Sequence, residues 1–263
     1  LNSGYIVTGS YDQTIKVWDI KQGKCILSLN EKGYVFCLLE FEPNKILAGN
    51  SLNTINLWDI QNPTDHIFSF IQHELWVNCL VKCDSNLFAS CSNDAMIYIW
   101  DYYKKISVAG LRGHLDCILT LIKLNDGKLC SGSADSTIKI WDWKRQCCVL
   151  ELKTNDQWIK SLYQLNDGTL LSGALESSIK LYQNNKCVKI FNGHTKAVRA
   201  FCQIDDNHFA SGSFDNTIKI WDKNTGEIIQ DLRGHTSNVI CVIKLKDNTL
   251  ASCSTDKTIK VWK

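Results

Sequence analysis

Twice the chain writes nearly the same twelve residues, SGSADSTIKIWD from Ser131 and SGSFDNTIKIWD from Ser211. Each copy supplies serines and an aspartate, and each follows a Gly-His pair, Gly113-His114 and Gly193-His194. Serine, histidine and aspartate are the parts of a hydrolytic triad, where the base takes the nucleophile's proton and the carboxylate orients the base. Such a triad is built once, in a cleft with oxyanion donors beside it. Here the set recurs along the chain, its serines at strand ends and its aspartates at turns, which argues for a structural part and against an enzyme. The remaining histidines, His66 and His208, lack metal-ligand spacing. The Asn-Asp-Gly turns lack the spacing of a calcium loop, and no glycine-rich phosphate loop is present. No catalytic residue, metal or cofactor is expected.

The elements that position these residues announce themselves by repetition. Seven segments align: GSYDQTIKVWD, GNSLNTINLWD, CSNDAMIYIWD, GSADSTIKIWD, GALESSIKLYQ, GSFDNTIKIWD and CSTDKTIKVWK. Their closing aromatics, Trp18, Trp58, Trp100, Trp141, Tyr182, Trp221 and Trp262, recur about every 39 to 42 residues, a repeat-architecture period. Within a repeat the runs are short, β-branched and bounded by turn residues, as in CILTLIKL, KLCSGS, TIKIWD and CCVLEL. No helix-period segment of ten or more residues appears.

Composition sets the outer limits. The chain has 263 residues, 44% of them hydrophobic, and a formal charge of +2, so nothing global favours nucleic acid or an acidic membrane. No apolar run approaches membrane-spanning length, and the opening LNSGYIVTGS lacks the layout of a signal peptide. Thirteen cysteines occur without a CxxC pair. Cys37, Cys79 and Cys241 share a repeat position with Thr120, Ser161 and Ala200, which suits small core residues and reduced thiols. A cytoplasmic or nuclear protein is expected, with no membrane insertion and no nucleic-acid partner.

The seven registered copies resemble the WD-repeat, or G-protein-β-like, β-propeller family over essentially the whole length. The resemblance implies an all-β fold, one domain over residues 1–263. It is expected to be a seven-bladed propeller of four-stranded antiparallel blades, strands a to d from the axis outwards. Leu1–Asn30 supplies strands b, c and d of the first blade, and the last blade stops after strand c. Strand a of blade 1 and strand d of blade 7 are therefore missing, and about 20 residues upstream are expected to supply both.

In that family the Gly-His histidine, a strand-b hydroxyl, the turn aspartate and the strand-c tryptophan form a hydrogen-bonded tetrad. Complete sets match as His73, Asp94 and Trp100 (with Gln72 for the glycine); His114, Asp135 and Trp141; His194, Asp215 and Trp221; and His235, Asp256 and Trp262. Either of two serines, such as Ser131 or Ser133, fits as the hydroxyl. The first blade has Asp12 and Trp18. Two blades depart: the second has Glu31 and Leu52, the fifth Asn155, Glu176 and Tyr182. Both are expected to be held mainly by packing against neighbours.

The family's partners most often dock on the face carrying the d–a and b–c loops. Third after the histidine position stand the aromatics Tyr34, Trp76 and Trp158, and before the turn aspartate stand Tyr11 and Phe214. Lys32, Glu74 and Asp156 come first after the histidine position. No repeat requires these rings, and Trp and Tyr are favoured interface anchors. The resemblance implies a non-catalytic scaffold or adaptor within a larger chain or complex, binding proteins or peptides through that face. An alternative rests on Lys160 and Arg199. They occupy the position where phosphodegron-reading propellers of ubiquitin ligases carry arginines, here filled otherwise by Phe36, Asn78, Leu119 and Ile240. Adjacent cations there would take an acidic or phosphorylated motif.

Overall fold

The computed structural model describes residues 1, 4–154 and 156–262. Asn155, which spacing sets at the fifth histidine position, lies outside the described residues.

Every described element is a strand, and each repeat folds into its own antiparallel sheet. The first blade is β1 (Ile6–Gly9), β2 (Thr14–Asp19) and β3 (Lys24–Asn30). The second is β4 (Val35–Glu42), β5 (Lys45–Asn50), β6 (Thr54–Asp59) and β7 (Phe68–Ile71). The third is β8 (Val77–Lys82), β9 (Leu87–Ser92), β10 (Met96–Asp101) and β11 (Ile106–Arg112). The fourth is β12 (Ile118–Lys123), β13 (Leu129–Ser133), β14 (Thr137–Asp142) and β15 (Cys147–Lys153). The fifth is β16 (Ser161–Gln164), β17 (Leu170–Gly173), β18 (Ile179–Gln183) and β19 (Lys186–Phe191). The sixth is β20 (Val198–Gln203), β21 (His208–Ser213), β22 (Ile218–Asp222) and β23 (Ile228–Leu232). The seventh is β24 (Val239–Lys244), β25 (Leu250–Ser254) and β26 (Ile259–Trp262). The first and last blades are three-stranded and the other five four-stranded, as the strand count from sequence requires. No helix among the described residues is long and apolar enough to cross a membrane.

The b–c turns show why Asp recurs before the TIKIWD-like run. Asp12, Asp94, Asp135, Asp215 and Asp256 each accept, on Oδ1, the N–H of the residue two positions on, at 2.9–3.0 Å. This Asx-type turn supplies a local partner for backbone that the ladder leaves unpaired. The following residue is left-handed: Gln13, Ala95, Ser136, Asn216 and Lys257 have φ between 62° and 72°. None is glycine, so the capping carboxylate offsets the ~1 kcal/mol or more that such a conformation costs.

The chain packs as two compact units, one comprising 1–123, 127–129 and 140–149, the other 124–126, 130–139 and 150–263. Each repeats one core design. In the first, Trp100 stacks on Phe88 at 6.1 Å and meets Phe70 edge-on at 5.5 Å. In the second, Trp221 stacks on Phe209 at 6.3 Å and meets Phe191 edge-on at 5.7 Å. All six rings are fully buried, and such pairs add about 0.5–1.5 kcal/mol beyond their area. Phe70 and Phe191 come from the last strands of the second and fifth blades, the two that depart from the repeat. Each clasps the tryptophan of the blade that follows.

From the third blade to the seventh, a residue at or near the end of the first strand also joins each blade to the one before it. Lys82 donates to Phe41 O at 2.6 Å, Lys123 to Cys83 O, and Lys244 to Ile204 O at 2.6 Å. Gln164 and Gln203 instead accept, from Asn125 N at 2.7 Å and Asn166 N at 2.8 Å. All five address the same peptide unit in the a–b turn of the preceding blade, the lysines at its carbonyl and the glutamines at its N–H.

Candidate protein-interaction site

The serine–histidine–aspartate sets are brought together, and in one fixed arrangement. In the third blade His73 Nδ1 lies 2.7 Å from Asp94 Oδ2 and Nε2 lies 2.7 Å from Ser90 Oγ, which accepts Trp100 Nε1–H at 2.7 Å. In the sixth, His194, Asp215, Ser211 and Trp221 repeat those three distances. The seventh joins His235 to Asp256 at 2.7 Å and to Ser252 at 2.8 Å, with Trp262 on Ser252 at 2.8 Å. In the fourth blade the His114 and Trp141 rings lie 5.9 Å apart, and Asp135 caps its own turn. The first has Trp18 Nε1 on Thr8 Oγ1 at 2.9 Å.

The network assigns its own protons. Indole only donates, so the serine oxygen accepts from tryptophan and turns its O–H to histidine Nε2. The imidazole proton is then on Nδ1, directed at the aspartate. That aspartate also accepts the next backbone N–H, from Glu74, Thr195 or Thr236, at 3.0 Å. Burial, the largest influence, raises the pKa of Asp94, Asp215 and Asp256, but the hydrogen bonds from histidine, backbone and neighbouring threonines outweigh it. All three carboxyls end below the ordinary carboxylate range. The serine oxygen is sealed under tryptophan: Ser90 and Ser211 are fully buried, so neither can meet a substrate.

The structure also separates the two candidate serines of each blade. The first, Ser90, Ser211 or Ser252, serves the histidine and tryptophan. The second, Ser92, Ser213 or Ser254, donates to a d–a loop carbonyl at 2.9–3.0 Å and accepts the turn aspartate's N–H. One pair of serines thus ties loop, turn and strand together.

The two departing blades, expected to be held mainly by packing, also build polar corners of their own. In the second, buried Glu31 replaces histidine as a hub. Its Oε2 accepts Trp58 Nε1–H at 2.7 Å, and its Oε1 accepts from Asn56 Nδ2 and from Asn50 Nδ2 at 3.3 Å. Asn50 also takes over the missing turn aspartate, accepting Thr54 N at 3.3 Å and Thr54 Oγ1 at 3.1 Å, and it accepts Leu52 N at 2.8 Å as the second serine does elsewhere. The signal was present in NSLNTINLWD, where Asn56 stands at the position of Lys in most repeats.

In the fifth blade the loop slips by one residue. Asp156, expected on the surface, is buried and ion-paired to Lys180 at 2.8 Å. Gln157 N–H goes to the Glu176 carboxylate, the bond made elsewhere by the residue just after histidine. Leu175 N bonds Gln157 O, whereas the equivalent bonds in the second and third blades go to Tyr34 O and Trp76 O. Trp158 is therefore displaced from the position that spacing assigns it, and it takes a left-handed φ of 47°. A bulky side chain there is a genuine outlier.

The loop aromatics fall into two groups, one in each unit. In the first, Tyr11, Tyr34, Phe36 and Trp76 form a run. Ring centroids are 5.5 Å apart from Tyr11 to Tyr34 and to Phe36, and 5.2 Å from Phe36 to Trp76. Tyr11 is 65%, Tyr34 44% and Trp76 45% exposed. Phe36, which spacing set at the cation position, is what makes the run continuous. In the second unit Trp158 is 46% exposed and Lys160 Nζ sits 5.0 Å from its ring and 6.0 Å from that of Phe214. Arg199 donates to Lys160 O at 3.1 Å. Burial first and Arg199 second lower the Lys160 pKa, and neither cation is ion-paired among the described residues. Leu115, 91% exposed beside His114, is a further apolar loop residue, one that no aromatic pattern marks. None of the thirteen cysteines is in a disulfide; Cys37 and Cys79 are half-buried, whereas Cys241 is exposed rather than a core residue.

Comparison with known proteins follows the same lines. The model of the WD domain, G-beta repeat, matches residues 2–19, 64–101, 105–142, 185–222 and 226–263, more than half of the chain. The unmatched stretches contain the Glu31 and Asp156 corners. An uncharacterized WD repeat-containing protein of Schizosaccharomyces pombe is 27% identical over 45% of this chain and 34% of its own length. The E3 ubiquitin-protein ligase COP1 of Arabidopsis thaliana is 28% identical over 41% and 16%. The ribosome biogenesis protein YTM1 of Debaryomyces hansenii is 33% identical over 40% and 24%. The matches thus span about a third or less of the length of these relatives. With seven antiparallel blades and a histidine–serine–tryptophan corner rebuilt in register, this chain belongs to the WD domain, G-beta repeat family.

Proposed function

We propose that the chain is a non-catalytic scaffold or adaptor that binds another protein through its d–a and b–c loops. The exposed run of Tyr11, Tyr34, Phe36 and Trp76 carries this reading. No tetrad uses these rings, and large amphipathic rings held by rigid strands supply contact area at small entropic cost. Trp158 supports it from the second unit, since strained backbone under an exposed tryptophan is characteristic of binding sites. The relatives' printed roles, ubiquitin ligation and ribosome biogenesis, agree in kind with a module of a larger chain or assembly in the cytoplasm or nucleus.

Affinity capture from lysate with wild type, Trp76→Ala and Trp158→Ala tests the reading. The variants are expected to lose specific bound proteins while melting within about 2 °C of wild type, since both rings lie at the surface. An unchanged set of bound proteins would refute it.

A second reading has its own support. Lys160 and Arg199 are adjacent, half-buried cations without a carboxylate, so a bound anion would relieve both repulsion and desolvation. On this reading the loops recognise an acidic or phosphorylated peptide. Titration with paired phosphorylated and unphosphorylated peptides, repeated on Arg199→Ala, tests it; equal affinity for the pair removes this reading and leaves the first intact.

A further inference from the structure

Resting on the interaction reading, we infer that the run Tyr11–Tyr34–Phe36–Trp76 is a docking strip for a proline-rich segment in the polyproline II conformation. Three features select this occupant. The first is the shape of the strip. The rings touch in the order Tyr34, Tyr11, Phe36, Trp76, with interplanar angles of 45°, 78° and 23°, so they form a corrugated apolar surface rather than a pocket for one side chain. Steps of 5.5 Å from Tyr11 to Phe36 and 5.2 Å from Phe36 to Trp76 set an upper limit on the span that admits the ~9 Å advance of three polyproline II residues. Prolines one turn apart then seat at the two ends of the strip.

The second feature is the rim. Tyr11 and Tyr34 hydroxyls and Trp76 Nε1–H make no hydrogen bond among the described residues, while the strand-c indoles of Trp18, Trp58, Trp100, Trp221 and Trp262 all donate within the fold. A polyproline II segment has no internal hydrogen bonds and leaves every carbonyl available. Rings that offer a donor at the edge of an apolar face match that need. A helix, whose carbonyls are spent internally, does not use these donors.

The third feature is charge. Asp12, Lys32 and Glu74, the exposed charged residues of the same loops, are of both signs, so no field selects an acidic or basic segment. Proline rings need none.

The test uses an octaproline peptide, a length-matched Gly-Ser peptide and an alanine-leucine helical peptide. Binding is followed by calorimetry and by the Trp76 indole N–H resonance, assigned with Trp76→Phe. Saturable binding of octaproline at least tenfold tighter than either control is expected. Trp76→Ala should remove it, and Tyr11→Phe should weaken it severalfold by deleting only a donor. Equal affinity for the three peptides, or octaproline binding unaffected by Trp76→Ala, overturns the inference. So does a concentration-dependent dimer abolished by Trp76→Ala, which would give the strip to a second copy. Should protein capture depend on Trp76 while octaproline fails to bind, the interaction reading stands and this assignment falls.

Discussion

Replacing Glu31 with glutamine probes one of the two corners that the repeat does not describe. Glutamine keeps the shape of glutamate but presents one acceptor oxygen and one NH2 where the hub needs two acceptors. Trp58 Nε1–H can only donate, and the two asparagine amides cannot turn to help. Asn56 Oδ1 is already used by Ser69 Oγ at 2.7 Å, and Asn50 Oδ1 by Leu52 N at 2.8 Å and Thr54 Oγ1 at 3.1 Å. The new NH2 therefore faces a donor whichever way it points. Leaving one buried donor unpaired costs about 1–3 kcal/mol, and the surviving bond loses its charge assistance. Relief of the buried charge returns part of this, so the net expectation is a loss of about 2 kcal/mol. Glu31→Met, which strands Trp58 Nε1–H and Asn56 Nδ2 while Asn50 Nδ2 keeps Thr54 Oγ1 at 2.8 Å, should cost more, and Glu74→Gln, on an exposed loop residue, should cost less than about 0.5 kcal/mol. Urea unfolding gives the size of the loss. Hydrogen exchange gives its place, with protection lowered in β5 and β6 first. A Glu31→Gln protein as stable as wild type would show that the carboxylate is not the hub.

Two further outcomes follow from the regular corners. Ser211→Ala should cost about 1–3 kcal/mol, because it leaves Trp221 Nε1–H and His194 Nε2 unpaired in a fully buried place; Ser237→Ala, outside any tetrad, is the matched control in the same unfolding assay. Asp94, Asp215 and Asp256 titrate below their unfolded values, so the stability they confer is complete above about pH 4 and is lost as pH falls through the depressed values. Acid unfolding of wild type and Asp215→Asn should therefore converge below pH 4; a constant gap down to pH 2 would contradict the linkage.

Most of the fold was legible because the repeat states each element six or seven times. The b–c turn, the strand after it and the closing aromatic could be read at Asp215–Trp221 and confirmed at four other places. What escaped were sites where one residue's meaning depends on a distant partner. Glu31 looked like a lost histidine, because its donors Asn50, Asn56 and Trp58 lie 19 to 27 residues away. Asp156 looked like a loop charge until Lys180 was found opposite it. The slip that displaces Trp158 is a single residue, and spacing counts residues without seeing which one bulges. The aromatic positions themselves were readable, since they break a pattern; the continuity that Phe36 gives them was not.

The seams between blades carry a consequence for how such a chain changes over time. Lys82, Lys123, Gln164, Gln203 and Lys244 each grip a main-chain peptide of the blade before them. Main chain is the one part of a neighbour that mutation leaves in place. A blade can therefore exchange its histidine for a glutamate, or its tryptophan for a tyrosine, without loosening the joint to the next. Copying and divergence are both tolerated by such a joint, and the second and fifth blades are what that tolerance looks like after use.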